Sequence, residues 1–278
     1  MHLDAHQHFW KYDAAEYPWI PPGSPLHRDW LPGDLAPLLR AAGLDGCIAV
    51  QARQTLEESR WLLALADAHP IIRGVVGWAD LRSDRVEEEL APLAAHPRFK
   101  GVRHVAQDEP DDGFLARPEF IRGVRKLAAF GLRYDLLIFP RQLPAAITLV
   151  DAAPDVAFVL DHLAKPAIRD GAREPWLGNF RELARRPNVC CKVSGLVTEA
   201  RQDWRGEDLR PYLDAAFAAF GPRRLMFGSD WPVCRLAAEY AEVVRLVTDY
   251  LAPLPAADRG AVLGGTAAAL YGVTAPNA

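Results

Sequence analysis

The strongest constraint on what this chain can fold into is an eightfold alternation. Short apolar runs rich in Val, Ile, Leu and Phe occur at 3–7, 46–51, 72–79, 99–105, 132–138, 156–162, 188–194 and 224–230. Between them lie longer segments whose apolar residues recur at helical spacing: 33–43, 56–69, 84–96, 118–130, 141–153, 174–186, 207–221 and 237–252. Neighbouring parallel strands need a long crossover, and a helix is its usual form. Eight such units, with no break in composition and no long linker, predict an α/β fold. The expected form is a single (β/α)8 TIM barrel domain over residues 1–278, with a doubly wound open sheet as the competitor. Segment 118–130 carries clear helix punctuation, with Pro118 near its start and Gly131 just past its end. A last short helix, 256–271, is expected to pack against the outside.

Composition narrows the partners. Half of the 278 residues are hydrophobic and 24% are charged, which suits an ordinary globular core. A net charge of −4 with scattered arginines offers no field for a polyanion, so no nucleic-acid partner is expected. No run approaches the roughly 18 apolar residues of a membrane span, and no cationic-then-apolar leader opens the chain, so a cytoplasmic protein without a membrane partner is expected. Cys47, Cys190, Cys191 and Cys234 form no Cys-x-x-Cys pair and read as buried free thiols. Residues 11–32 contain five prolines. A stiff loop of that length after the first strand lies on the active-site face and is expected to cover the pocket.

In a barrel of this kind the reactive side chains come from the C-terminal ends of the strands. His6 and His8 end the first run, and a period of two turns both imidazoles to one side, about 6–7 Å apart along the strand. Asp161 and His162 end the sixth run, and Asp230 ends the eighth. Core packing alone does not favour titratable groups there. Arg103 and His104 end the fourth run; alternation lets only one face the mouth, and Arg103 is the expected one.

The segments "DAHQHFW", "VVGWADL", "GVRHVAQD", "DHLAKP", "KVSGLVTEA" and "GSDWPV", ordered over residues 3–272, resemble the amidohydrolase-related sugar lactonases, the L-fuconolactonase group. The resemblance implies a distorted (β/α)8 barrel that hydrolyses a lactone, with His6, His8, His162 and Asp230 as site residues and one or two divalent metals at such positions. Two departures matter. The fifth run offers Tyr134 and Asp135 instead of a histidine, and the fourth offers no bridging lysine or glutamate. A binuclear centre is therefore not expected. What remains is one divalent ion, Zn²⁺ by expectation, held by His6, His8 and Asp230 with His162 as a further donor, or a site that works without metal. Thr266 also stands where relatives of this group carry Asn, implying a changed hydrogen bond.

Opening a lactone needs an activated water, a polarised carbonyl and stabilisation of the oxyanion. The expected catalytic residues are Asp230 as base, His162, and Arg103 on the carbonyl. Gln51, Trp30, Trp78, His104, Lys192 and Trp231 are candidates for holding a hydroxylated ring. Arg53 and Arg103 leave open a dicarboxylate lactone of the pyrone or muconolactone type, and a metal-dependent decarboxylase is the rival chemistry. The expected assembly is a monomer or homodimer.

Overall fold

The computed structural model describes residues 1–274, so the last four residues of the expected domain lie outside the described part. Its eight parallel strands follow chain order: β1 (Leu3–Gln7), β2 (Gly46–Val50), β3 (Ile72–Gly77), β4 (Phe99–His104), β5 (Arg133–Leu136), β6 (Ala157–Leu160), β7 (Val189–Val193) and β8 (Leu225–Phe227). The helices between and after them are α1 (Pro32–Ala41), α2 (Leu56–Ala68), α3 (Val86–Ala94), α4 (Pro118–Lys126), α5 (Leu143–Ala152), α6 (Trp176–Ala184), α7 (Leu196–Glu199), α8 (Gly206–Phe220) and α9 (Tyr240–Leu251). β2 illustrates the packing. Cys47 and Ala49 face the helical shell while Ile48 and Val50 join an inner apolar cluster, so both faces of the strand are buried. Among the described residues no helix is long and apolar enough to cross a membrane.

Barrel closure is local, and this is the distortion. β8 has only three residues; beyond it, His8 N–H donates to the Trp231 carbonyl (2.7 Å) and Asp230 N–H to the His6 carbonyl (2.8 Å). Gly228 makes that approach possible, because a Cβ there would lie 2.6 Å from the Cβ of His6. Lower in the seam a π-helical turn, Ala261–Gly265, takes the place of strand pairing, with Gly264 against the Met1–Leu3 backbone.

The C-terminal segment departs from expectation. α10 (Ala256–Gly260) and the π turn lead into α11 (Thr266–Tyr271), which does not lie on the outside. Ala267 and Tyr271 pack with Leu3, Ala5, Ile48, Val50 and Met226, so α11 forms the floor of the barrel. Thr266 donates its hydroxyl to the Arg223 carbonyl (3.3 Å).

Candidate active site

The opening strand is not a simple two-residue alternation. Asp4 pairs with Cys47 and Gln7 with Ala49, so β1 holds one extra residue there, a β-bulge. Ala5 and His6 both turn inward, while Asp4 turns out to accept from Ser229 N–H (2.9 Å), Ser229 Oγ (2.6 Å) and Tyr240 Oη (3.1 Å). Asp4 thereby ties β1 to the turn that carries Asp230. Burial pushes its carboxyl up to about 6, against the pull of those hydrogen bonds.

At the mouth, His6 Nε2 and His8 Nε2 lie 3.2 Å apart. Asp230 Oδ1 is 3.3 Å from His8 Nε2, 3.7 Å from His6 Nε2 and 3.9 Å from His162 Nε2. His8 Nδ1 meets the Val50 carbonyl at 2.8 Å, and His162 Nδ1 meets Ser194 Oγ at 2.9 Å. The carbonyl can only accept, so His8 carries its proton on Nδ1 and presents a lone pair at Nε2. Burial, with the charges of Lys192 and His162, pulls His6 well below the ordinary histidine range, and burial takes His162 down to about 4. Burial alone would raise Asp230, but the surrounding imidazoles outweigh it and hold the carboxyl well below its usual range.

His8 Nε2 presents its lone pair beside the Asp230 carboxylate, two donors open to a cation. The ligand atoms of His6, His8 and Asp230 all fall within 4.8 Å of one another, as do those of His6, Asp161 and His162. Nitrogen donors with one carboxylate suit a single first-row divalent ion, so these residues fit such a group.

Backbone conformation serves the same site. Asp230 has φ +58°, and His162, Leu163, Ala164 and Lys165 form a run of four left-handed residues after β6. Non-glycine residues in that region cost about 1–3 kcal/mol each and persist where the surroundings over-determine them. Gly195, at φ +64°, is required by its neighbour: a Cβ there would lie 2.5 Å from His162 Nδ1. Gly195→Ala is therefore expected to destabilise the fold by about 1–3 kcal/mol and to lower kcat by displacing His162. A melting curve beside a turnover assay checks this, and unchanged kcat would show that the ring position is not set there.

Below the histidines lies a buried charged layer. Lys192 Nζ contacts Asp135 Oδ2 (2.5 Å), Asp161 Oδ1 (3.0 Å) and His6 Nδ1 (3.1 Å), and Tyr271 Oη donates to Asp135 (3.0 Å). Of Arg103 and His104, the expected Arg103 is the one that faces inward. Its guanidinium donates to the Gln51 carbonyl, to Gln51 Oε1 (2.9 Å) and to Asp161 Oδ2 (3.1 Å), with His6 Nε2 at 3.4 Å.

The mouth opens into a cavity of about 750 Å³ whose walls include His8, His162 and Asp230. The 11–32 loop contributes Ala15, Glu16 and Trp19, so it does border the pocket. Of the expected ring-holding residues, Gln51 lines this cavity. The others lie elsewhere. Trp30 and Trp231 pack edge to face in the shell, His104 stacks on Phe114 and bonds Glu109 (2.7 Å), Trp78 Nε1 points at His104, and Lys192 lies in the charged layer. Sequence reasoning assigned no site role to Trp19, Lys165, Thr198 or Glu199, which line the cavity. The signal was there, since Trp19 sits in the covering loop and Lys165 and Glu199 lie in two of the quoted motifs.

Glu58 organises one wall. Its buried carboxylate accepts from Ala52 N–H (3.0 Å) and Arg53 N–H (2.8 Å), fixing the loop after β2. Burial raises it to about 7, against those bonds and the charges of Arg53 and Arg103. A carboxyl raised on folding binds more protons in the native state, so its contribution is full below the unfolded value near 4.5 and is lost as pH rises through about 7. Glu58→Gln is expected to flatten the fall of Tm between those pH values; identical slopes in the two proteins would refute it.

The protein named L-fucono-1,5-lactonase of Burkholderia multivorans is 47% identical over 99% of this chain and 97% of its own length. The protein of the same name from Burkholderia ambifaria is 39% identical over 86% of this chain and 83% of its own. A crystal structure of an amidohydrolase from B. multivorans with bound zinc superposes with a TM-score of 0.94 at 47% identity, covering 99% of this chain and all of that one. The family signature described as amidohydrolase matches residues 3–273, and the chain belongs to that family.

Proposed function

We propose that this amidohydrolase hydrolyses a sugar lactone, L-fucono-1,5-lactone or a closely similar aldonolactone, to the aldonic acid. The observation that carries the reading is the convergence of His6, His8, His162 and Asp230 at the mouth of the barrel, opening into a cavity large enough for a sugar ring. The 47% identical relative bears a lactonase name.

His6, His8 and Asp230 would hold the divalent ion, zinc by its donor set and by the zinc-bound relative, with His162 beside them. When bound, such an ion supplies Lewis acidity, lowering the pKa of water towards about 7 and polarising a carbonyl. Asp230 takes the proton from the attacking water as its oxygen bonds to the lactone carbon. It returns that proton to the ring oxygen as the ring C–O bond breaks. Arg103 has its donors on Gln51, Asp161 and His6, which makes it a positioning residue and not the group that reaches the carbonyl. Trp19 offers the ring an aromatic face beside the polar wall.

Charge argues against a dicarboxylate lactone. Arg53 is committed to Glu16 (2.5 Å) and Arg103 to Asp161, while Glu16, Asp108, Glu199 and Asp230 place four carboxylates on the walls. An anionic substrate needs converging, unengaged arginines.

A pH-indicator screen across 1,4- and 1,5-aldonolactones is expected to show acid release without CO₂, and release of CO₂ from aromatic acids instead would overturn the reading. Elemental analysis is expected to find about one divalent ion per chain, and exhaustive chelation to lower kcat. Full activity with no metal present would remove the ion from the site.

A further inference from the structure

Resting on that lactonase reading, we infer that Lys165 and Glu199 are a specificity-determining pair that binds a ring hydroxyl of the lactone. The two residues come from different strand ends. Lys165 closes the left-handed run after β6, its N–H bonded back to the His162 carbonyl (2.7 Å), and Glu199 ends α7 after β7. Both line the cavity that holds Asp230 and His162. Their closest approach, Lys165 Nζ to Glu199 Oε1, is 3.9 Å, beyond hydrogen-bonding distance, although each side chain is only about a fifth exposed (19% and 23%). Of the three cations on the cavity wall, Arg53 and Arg103 are hydrogen-bonded to carboxylates and Lys165 is not. Burial raises the Glu199 carboxyl, with the Lys165 charge opposing that rise and Asp230 adding to it.

A partly desolvated donor and acceptor held side by side without satisfying one another call for a ligand group that both accepts and donates. A hydroxyl does both, accepting from Lys165 Nζ and donating to Glu199 Oε1. A carboxylate in that position would pair with Lys165 but face Glu199 as a like charge. The pair therefore selects lactones with a hydroxyl there and rejects those carrying a second acid. The strain of the left-handed run is consistent with a role, since it delivers His162 and Lys165 to the same cavity from one turn.

The test compares the intact enzyme with Lys165→Met, Glu199→Gln and the double variant on the parent lactone, on singly deoxygenated lactones and on a lactone bearing a second carboxylate. Each single variant is expected to lose about 10- to 100-fold in kcat/KM on the parent lactone, carried by KM with kcat little changed. One deoxygenated lactone should lose a similar factor with the intact enzyme, and the variants should add little further loss on that substrate alone. Glu199→Gln should also narrow the preference for the hydroxylated over the acid-bearing lactone, and Lys165→Arg should restore part of the binding. Losses that fall on kcat, or equally on every deoxygenated lactone, would overturn the pairing while leaving the lactonase reading intact. An intact enzyme that turns over no lactone would overturn both. Melting curves for each variant separate misfolding from lost recognition.

Discussion

Asp230→Asn is expected to lower lactone turnover by about 10²–10⁴-fold, the range of a lost general base, with the barrel still folded. Asn is the informative substitution because residue 230 sits at φ +58°, a region that Asn tolerates and alanine enters only with strain. The backbone bond from residue 230 N–H to the His6 carbonyl survives the change, so the seam between first and last strands stays closed. What goes is the negative charge that three imidazole nitrogens surround at 3.3, 3.7 and 3.9 Å. Acid release read by pH indicator gives the rate, circular dichroism the fold, and metal content separates a lost base from a lost ligand. Turnover within about tenfold of the unmodified enzyme would be below what a general base contributes and would remove Asp230 from that role.

The second large effect is on stability. Lys192→Met should destabilise the protein by about 3–5 kcal/mol, because removing one partner from a buried ionic network leaves the others uncompensated. Lys192 is fully buried, and it is the ammonium between Asp135 and Asp161. Asp135 would keep the Tyr271 hydroxyl and Asp161 would keep Arg103, so the layer is weakened and not emptied. Burial already raises Asp135 to about 6, with Lys192 opposing that rise. Denaturant unfolding at neutral pH reads the loss directly, and the Asp135→Asn/Lys192→Met double variant should recover part of it by removing an orphaned charge. A loss below about 1 kcal/mol, the scale of a surface pair, would show that water reaches this layer.

This layer also shows where reading the sequence stops. Lys192 is a candidate for the substrate on residue type, because hydrogen-bonding groups suit a hydroxylated ring. Its depth is not legible in the same way: strand alternation gives the face of a side chain but not its height along the barrel, and Lys192 lies one layer below the mouth. Trp30, Trp231 and His104 were assigned by residue chemistry in the same way, and their rings pack in the shell outside the strands. Lys165 and Glu199 illustrate the converse. They are 34 positions apart in the chain, ordinary in composition, and meet only because strands six and seven are neighbours.

Periodicity by itself determined the eight strand–helix units and their parallel order, because those depend on local patterning and on a few rules of chain connection, and it left a closed barrel and a doubly wound open sheet as the two ways to join them. It also placed His6, His8, His162 and Asp230 at strand ends, since the end of an apolar run is visible in one dimension. Tertiary structure alone decided what those ends do together. The bulge that turns Asp4 outward, the Gly228 approach that closes the seam and the floor made by α11 are all contacts between distant segments. Such contacts are set by steric fit and charge compensation in three dimensions, to which a one-dimensional pattern of apolar residues is blind.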